Sequence, residues 1–148
     1  MNNPREPLDP RIVRLIGLLY RTERLTDGHI TKLLQPVGLT CAQHQVLKIL
    51  AAEDQPLPLG QIAERMRTVR SNATQMVDRL AAEGLVERIL DPADRRLVLA
   101  KIRDEGSRRY EAARAVEQEV EHELALLFTP GELDQLTTLL GRLDAAWG

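Results

Sequence analysis

The feature that most constrains the fold is a pair of short apolar segments set in a chain that is otherwise helical in pattern. Leu85–Leu90 and Leu97–Ile102 are rich in valine, isoleucine and leucine, and Asp91-Pro92-Ala93-Asp94 supplies turn-forming residues between them. This arrangement predicts a β-hairpin with charged residues at its tip. The hairpin is the one interruption of the helical pattern, so the predicted fold has to combine helices with a single β-hairpin.

Apolar periodicity and capping residues predict four helices before the hairpin and two after it. The signals for the helix starts are Asp9-Pro10, Thr40–Gln43, Gly60, Ser71, Asp104 and Thr129–Glu132. Leu57–Leu59, broken by Pro58, is predicted to be an extended link. Two short helices followed by a hairpin form a winged helix-turn-helix. We therefore predict a mainly α fold with a small β-hairpin wing.

The domain prediction is one unit over residues 1–148, with the winged helix-turn-helix region at 40–103. Helices over residues 9–37 and 104–148 flank it and carry apolar seams. A helix as long as residues 104–128 cannot bury its seam against so small a central domain. A second copy of the chain is the natural cover, so these flanking helices are predicted to be dimerisation helices of a homodimer.

Charge is distributed unevenly along the chain, although the formal net charge is only −2. Residues 65–103 hold nine basic and five acidic side chains, whereas residues 104–148 hold four basic and ten acidic ones. A positive middle segment is compatible with a polyanionic partner.

Several other classes of protein are disfavoured by composition. One cysteine excludes an internal disulfide, and three widely spaced histidines show no metal-ligand spacing, so no metal or cofactor is expected. No segment is apolar enough to span a membrane, and residues 1–14 lack the apolar core of a signal peptide, which predicts a cytoplasmic protein.

The helix after the predicted turn begins with side chains suited to reading DNA. Its first turns carry Arg70, Ser71, Asn72, Thr74 and Gln75. Arginine, asparagine and glutamine can bond two base-edge atoms at once, and a recognition helix presents its first turns to the major groove. The alternative is that Ser71 and Asn72 are ordinary helix caps.

The hairpin tip supplies the second candidate contact with double-stranded DNA. Arg95 and Arg96 add little to stability there, because exposed ion pairs contribute about 0–1 kcal/mol. They are well suited to a narrow minor groove, whose negative potential attracts guanidinium groups. Asp94, two residues before Arg96, can hold the Arg96 side chain in position.

Four segments together resemble the MarR (multiple antibiotic resistance regulator) family. They are Ile62–Met66, Arg70–Leu80, Glu83–Arg88 and Asp91–Leu99. The resemblance implies a winged-helix homodimer that binds a pseudo-palindromic operator, usually as a repressor, and is released by a small molecule or an oxidant. It also implies that Ser71–Gln75 face the bases and that Arg96 enters the minor groove with Asp94 supporting it. Two places depart from the family pattern: Arg103, and the turn Arg67-Thr68-Val69.

The trigger for release is less defined than the DNA contacts. His44 and Tyr20 are candidates to line the effector cavity that the resemblance implies, and Arg14 and Arg21 could pair with an acidic effector. Each could equally be a structural residue. Cys41, at the start of the second helix, could have a lowered thiol pKa and sense oxidants, although a packed, inert thiol is the simpler interpretation.

Two other classes of function remain as alternatives. A helical protein-interaction module without DNA binding explains the apolar seams but not the arginines at the hairpin tip. A small helical enzyme is disfavoured, because the chain has no catalytic triad order, phosphate loop or HExxH motif.

Overall fold

The computed structural model describes residues 7–148, which form six α-helices, a 3₁₀ helix at Gln35–Val37 and three short strands. Residues 1–6, part of the predicted domain and of the segment considered as a signal peptide, lie outside the described residues. The elements are α1 (Pro10–Leu34), α2 (Cys41–Ala51), β1 (Leu57–Pro58), α3 (Leu59–Arg65), α4 (Arg70–Ala82), β2 (Val86–Leu90), β3 (Val98–Ile102), α5 (Asp104–Leu127) and α6 (Pro130–Trp147). The predicted mainly α fold with a β wing is confirmed.

Local capping chemistry sets several helix ends. Thr40 accepts a hydrogen bond from the Gln43 amide while the Gln43 side chain accepts one from the Thr40 amide, which completes a capping box before α2. Thr129 and Glu132 repeat the arrangement before α6. Gly84 follows α4 at a φ of 74°, in the left-handed region that favours glycine. The helix starts predicted at Thr40–Gln43 and Thr129–Glu132 are confirmed.

The sheet has one more strand than predicted. β2 and β3 form the expected antiparallel hairpin, with Val86 opposite Ile102 and Leu90 opposite Val98. Leu57-Pro58, predicted as a link only, is a short strand that pairs with β3, so the strand order is β1-β3-β2. Proline is accommodated because this strand lies at the edge of the sheet, where one side needs no amide donor.

One hydrophobic core joins the helix-turn-helix, the sheet and the first half of α5. Each of these elements contributes the apolar side chains of its inward-facing side to the core. They include Leu34, Val46, Leu47, Ile62, Ala73, Val77, Leu80, Leu85, Val86, Ala100 and Ala113. Because α4 and the sheet bury their side chains in the same core, the candidate recognition helix and the wing are parts of one packed unit.

The outer helices keep their apolar faces uncovered within one chain. α6 buries none of its residues, and leucine, isoleucine and valine side chains between 12 and 18 in α1 are about half exposed. These surfaces belong to the segments predicted to dimerise. Their exposure in a single chain is what a helical interface requires of its separate halves.

Candidate nucleic-acid interface

The N-terminus of α4 has no side-chain cap, which excludes capping as the role of its polar residues. The N-cap is Val69, and α4 begins at Arg70, so Ser71 and Asn72 lie in the first turn and do not cap it. Their side chains are exposed, as are those of Arg70 and Gln75. The ordinary capping explanation of these residues is therefore wrong.

Two of the predicted contact residues are restrained by hydrogen bonds inside the helix-turn-helix. The Asn72 amide nitrogen donates to the Thr68 hydroxyl at 3.2 Å, which orients the planar amide. The Thr74 hydroxyl donates to the carbonyl oxygen of Arg70 at 2.9 Å, and its side chain is half-buried. Asn72 is thus held on the exposed surface, whereas Thr74 directs its donor along the helix.

The wing tip holds one arginine in a defined position while leaving it in solvent. The Asp94 carboxylate oxygen Oδ1 accepts hydrogen bonds from the Arg96 backbone amide at 3.0 Å and from Arg96 Nε at 3.2 Å. The Arg96 side chain is nonetheless 92% exposed. Within residues 7–148 Nε is the one guanidinium nitrogen of Arg96 with a hydrogen bond, so the donors of Nη1 and Nη2 remain for an external acceptor.

The turn that carries these residues is itself tied across the hairpin. The Asp91 amide donates to the Leu97 carbonyl at 3.0 Å, and the Leu97 amide donates to the Asp94 carbonyl at 2.9 Å. The Asp91 side chain accepts from the Ala93 amide at 2.8 Å. Arg95 is exposed beside them. The tip is a hydrogen-bonded turn on which two adjacent arginines are displayed.

A charged contact connects the recognition helix to the sheet. Asp78 on α4 pairs with Arg88 on β2, and Arg88 lies opposite Ala100 in the central strand. The arginine-rich middle segment is therefore used in two ways. Arg88 joins elements of the domain, whereas Arg95 and Arg96 remain on its surface.

The predicted effector residues do not form one site. Tyr20 is 73% exposed and lies in a groove of about 750 Å³ between α1 and α6, beside Ile16, Leu140 and Trp147. His44 lines a different cavity, and Arg14 and Arg21 are exposed residues of α1 that line neither. Tyr20 and His44 are separated because one lines the groove between α1 and α6 and the other the cavity between α1, α2 and α5.

His44 is the one buried polar side chain among residues 7–148, with 7% of its surface exposed. Its cavity, about 340 Å³ in volume, lies between α1, α2 and α5. Within the described part of the chain His44 Nε2 has no hydrogen-bond partner and lies 3.7 Å from Glu117 Oε1, which accepts from Lys48 Nζ at 2.7 Å. Burial lowers the pKa of His44, so its ring is neutral at neutral pH.

Sequence reasoning missed Lys48 and Glu117. They lie 69 positions apart and meet only because α2 packs against α5. The hydrogen bond to Glu117 raises the pKa of Lys48, which keeps the ammonium charged. No spacing rule could have paired these two residues, since neither belongs to a local motif.

The environment of Cys41 is the opposite of the one that activates a thiol. Burial raises the pKa of Cys41, and the nearby Asp27 carboxylate raises it further. Desolvation of the half-buried thiolate thus favours the packed, inert thiol over the alternative of a lowered pKa at a helix N-terminus. The thiolate is the reactive form, and here it is disfavoured.

Residues 7–148 contain neither a metal-ligating cluster nor a helix able to span a membrane. No group of three or more histidine, cysteine, aspartate or glutamate residues is arranged to hold a metal ion in that range. None of the helices described there combines the length and apolarity needed to cross a membrane.

Comparison with known proteins gives one consistent result. The model of the MarR family matches residues 37–97. The transcriptional regulator PecS of Dickeya dadantii (strain 3937) is 31% identical over 146 residues, covering 96% of this chain and 87% of PecS. The multiple antibiotic resistance protein MarR of Escherichia coli (strain K12) is 30% identical, covering 89% of this chain and 92% of that protein.

Solved structures agree with the sequence relatives. A MarR mutant from Escherichia coli complexed with operator DNA superposes with a TM-score of 0.83 at 27% identity, covering 93% of this chain and 99% of that one. CouR from Rhodococcus jostii RHA1, bound to p-coumaroyl-CoA, has a TM-score of 0.73 at 29% identity, covering 86% of this chain and 90% of CouR. Family model, relatives and fold coincide, and the chain belongs to the MarR family of transcriptional regulators.

Proposed function

We propose that this protein is a cytoplasmic, homodimeric repressor that binds a pseudo-palindromic operator in double-stranded DNA and is released by a small molecule. Region 40–103 binds DNA, and the helices over 9–37 and 104–148 form the dimer. The relation to MarR, one structure of which holds operator DNA, supports the DNA-binding part. The apolar faces of α1 and α6 support the dimer.

Each DNA contact has an assigned role in this proposal. Arg70, Ser71, Asn72 and Gln75 lie in the major groove at the exposed start of α4, with Thr74 beside them. Arg96 enters the adjacent minor groove, oriented by Asp94, and Arg95 neutralises phosphate. A two-fold axis through the dimer repeats both contacts, so each half of the operator is read through two grooves.

One observation carries this proposal: the exposed Arg96 is held by two hydrogen bonds to Asp94. Fixing an arginine in solvent contributes little to folding, because an exposed pair is worth about 0–1 kcal/mol. Fixing it in advance does lower the entropy lost when the guanidinium binds a groove. A protein-interaction module without DNA binding gives no reason for this arrangement.

The substitution Arg96→Ala tests the wing assignment. An operator is first selected from a random pool of duplexes with the full-length protein, and affinity is then measured by fluorescence anisotropy. We expect Arg96→Ala to weaken binding about tenfold or more, the usual cost of losing a specific arginine contact. Its far-ultraviolet circular dichroism and sedimentation should be unchanged.

Arg114→Ala is the matched control. It removes the same charge from an exposed arginine of α5 whose one ion-pair partner among residues 7–148 is Glu111 of its own helix. Its operator affinity should stay within about twofold of the parent protein, as expected for a surface substitution away from the interface. Equal affinities of Arg96→Ala and the parent protein would show that the wing does not bind DNA.

We propose that the cavity beside His44 holds the effector. Its volume suits a small ligand, its walls include Val116 and Val120, and His44 Nε2 is a buried polar atom in need of a partner. The cavity lies between α5 and the helix-turn-helix region. A ligand there contacts both the dimerisation helices and the DNA-binding unit.

His44→Leu tests the effector site. Small compounds are screened for release of the operator from the parent protein, and each active compound is retested on the variant. We expect His44→Leu to bind the operator normally and to resist release, because the leucine fills similar volume without a hydrogen-bonding atom. Unchanged release in His44→Leu would place the effector elsewhere.

A further inference from the structure

Val69 is an exposed apolar side chain that no part of the described chain covers. Large apolar side chains are exposed along α1, α5 and α6 and at Leu8, where a second copy can cover them. Elsewhere in residues 7–148 the exposed ones are Val69, Leu90 and Leu97. Leu90 and Leu97 flank the wing tip, and Val69 precedes α4, so all three lie in the two elements assigned to DNA.

Valine is an unfavourable residue at the N-cap of α4, the position of Val69. It is the N-cap of α4, and its backbone carbonyl accepts the amides of Asn72 at 3.0 Å and Ala73 at 3.3 Å, as a normal cap does. A serine, threonine, aspartate or asparagine there would add a side-chain hydrogen bond that valine cannot make. The side chain is also 62% exposed, so it gains little from burial. Neither helix stability nor core packing accounts for it.

The residues that follow Val69 are exposed and are the ones assigned to the DNA contact. Arg70 and Ser71 follow it on the exposed first turn of α4, and the Asn72–Thr68 hydrogen bond joins residues on either side of it in sequence. Residues at the N-terminus of a recognition helix contact base edges, and an apolar side chain in the major groove contacts the C5-methyl group of thymine. Polar neighbours supply hydrogen bonds, while Val69 supplies an apolar surface.

We infer that Val69 is a specificity-determining residue that contacts a thymine methyl group in each half of the operator. This inference rests on the proposed DNA-binding function and deepens it. The base-contacting set then consists of polar side chains from Arg70 to Gln75 and one apolar side chain before them. An operator selected by this protein should hold thymine at one fixed position in both half-sites.

Replacing thymine by deoxyuridine tests the contact, because it removes only the methyl group. In the selected operator each thymine is replaced in turn, and affinity is measured for the parent protein, Val69→Ala and Val69→Ser. At one thymine per half-site we expect the parent protein to lose affinity about fourfold, the equivalent of one buried methyl group. Val69→Ala shortens the side chain in both half-sites, so it should bind the thymine operator up to about sixteenfold more weakly, about fourfold per half-site, and should be less sensitive to deoxyuridine at that position.

Val69→Ser separates this contact from a purely structural role. Serine restores the missing cap, so the variant should unfold at a higher temperature than the parent protein. It should still lose discrimination between thymine and deoxyuridine at the same position. A structural role for Val69 would instead leave this discrimination intact.

The outcomes that overturn the inference are distinct from failure of the proposed function. Equal deoxyuridine effects in the parent protein and both variants, at every thymine, would show that Val69 touches no methyl group. A change in sedimentation of Val69→Ser would assign the side chain to a protein interface instead. Absence of any selected duplex would contradict the DNA-binding function itself.

Discussion

At the scale of single residues, Gly106 sets how closely the start of α5 can approach the sheet. A Cβ atom on Gly106 would overlap the carbonyl oxygen of Leu85 and press against the Ile102 side chain. The same carbonyl accepts a hydrogen bond from the Arg103 amide at 3.0 Å, which connects the start of α5 to the segment between α4 and β2. The glycine is required by this approach and not by an unusual φ.

Gly106→Ala should therefore destabilise the fold. The backbone has to shift to admit the methyl group, and overpacking of this kind lowers the free energy of unfolding by about 1–3 kcal/mol. Gly60→Ala, in α3, is the matched control because nothing lies within 4 Å of its added Cβ atom. Urea denaturation followed by circular dichroism measures both variants. Equal midpoints for the two would contradict the close approach.

Residue-scale predictions from sequence succeeded where the interaction is local. The Asp94 support of Arg96 spans two positions and follows from the geometry of a turn, and the structure contains it. For Cys41 the sequence left two interpretations open, because the pKa of its thiol depends on burial and on Asp27, 14 positions away. The Asp94–Arg96 contact is local in sequence, whereas the groups that set the Cys41 pKa are not.

At the scale of elements, most helices could be predicted because their ends are written in capping residues. The boxes at Thr40 and Thr129 lie where the sequence places them. The strand Leu57-Pro58 could not be predicted, since two residues carry no periodicity and the pairing depends on Ala100 and Leu99. The start of α4 was displaced by one residue, because Val69 is an N-cap that lacks a capping side chain.

The candidate sites follow the same division between elements. The polar start of α4 and the arginines of the wing are each continuous in sequence, so both could be found by inspection. The cavity beside His44 draws its lining from α1, α2 and α5. Its Lys48–Glu117 pair forms only because α2 packs against α5. Tyr20 was grouped with His44 as an effector residue, but the two side chains line different cavities.

At the scale of the whole molecule, an acidic chain can still bind a polyanion, because its charges are segregated. The basic excess lies in residues 65–103, which form the helix-turn-helix and wing, and the acidic excess lies in α5 and α6. In the proposed dimer, the exposed apolar faces of α1 and α6 join two such basic units. The proposal therefore brings two positive units to one duplex.

The central claim is that two copies of this chain bind one duplex through four basic contacts, a helix start and a wing tip from each copy. The most direct measurement is sedimentation of the full-length protein with its selected operator across a range of salt concentrations. We expect two chains per duplex and a loss of affinity of about a hundredfold or more between about 50 and 200 mM salt, as four or more phosphates release their counterions. A single chain per duplex, or no binding at the lowest salt concentration, would contradict the claim.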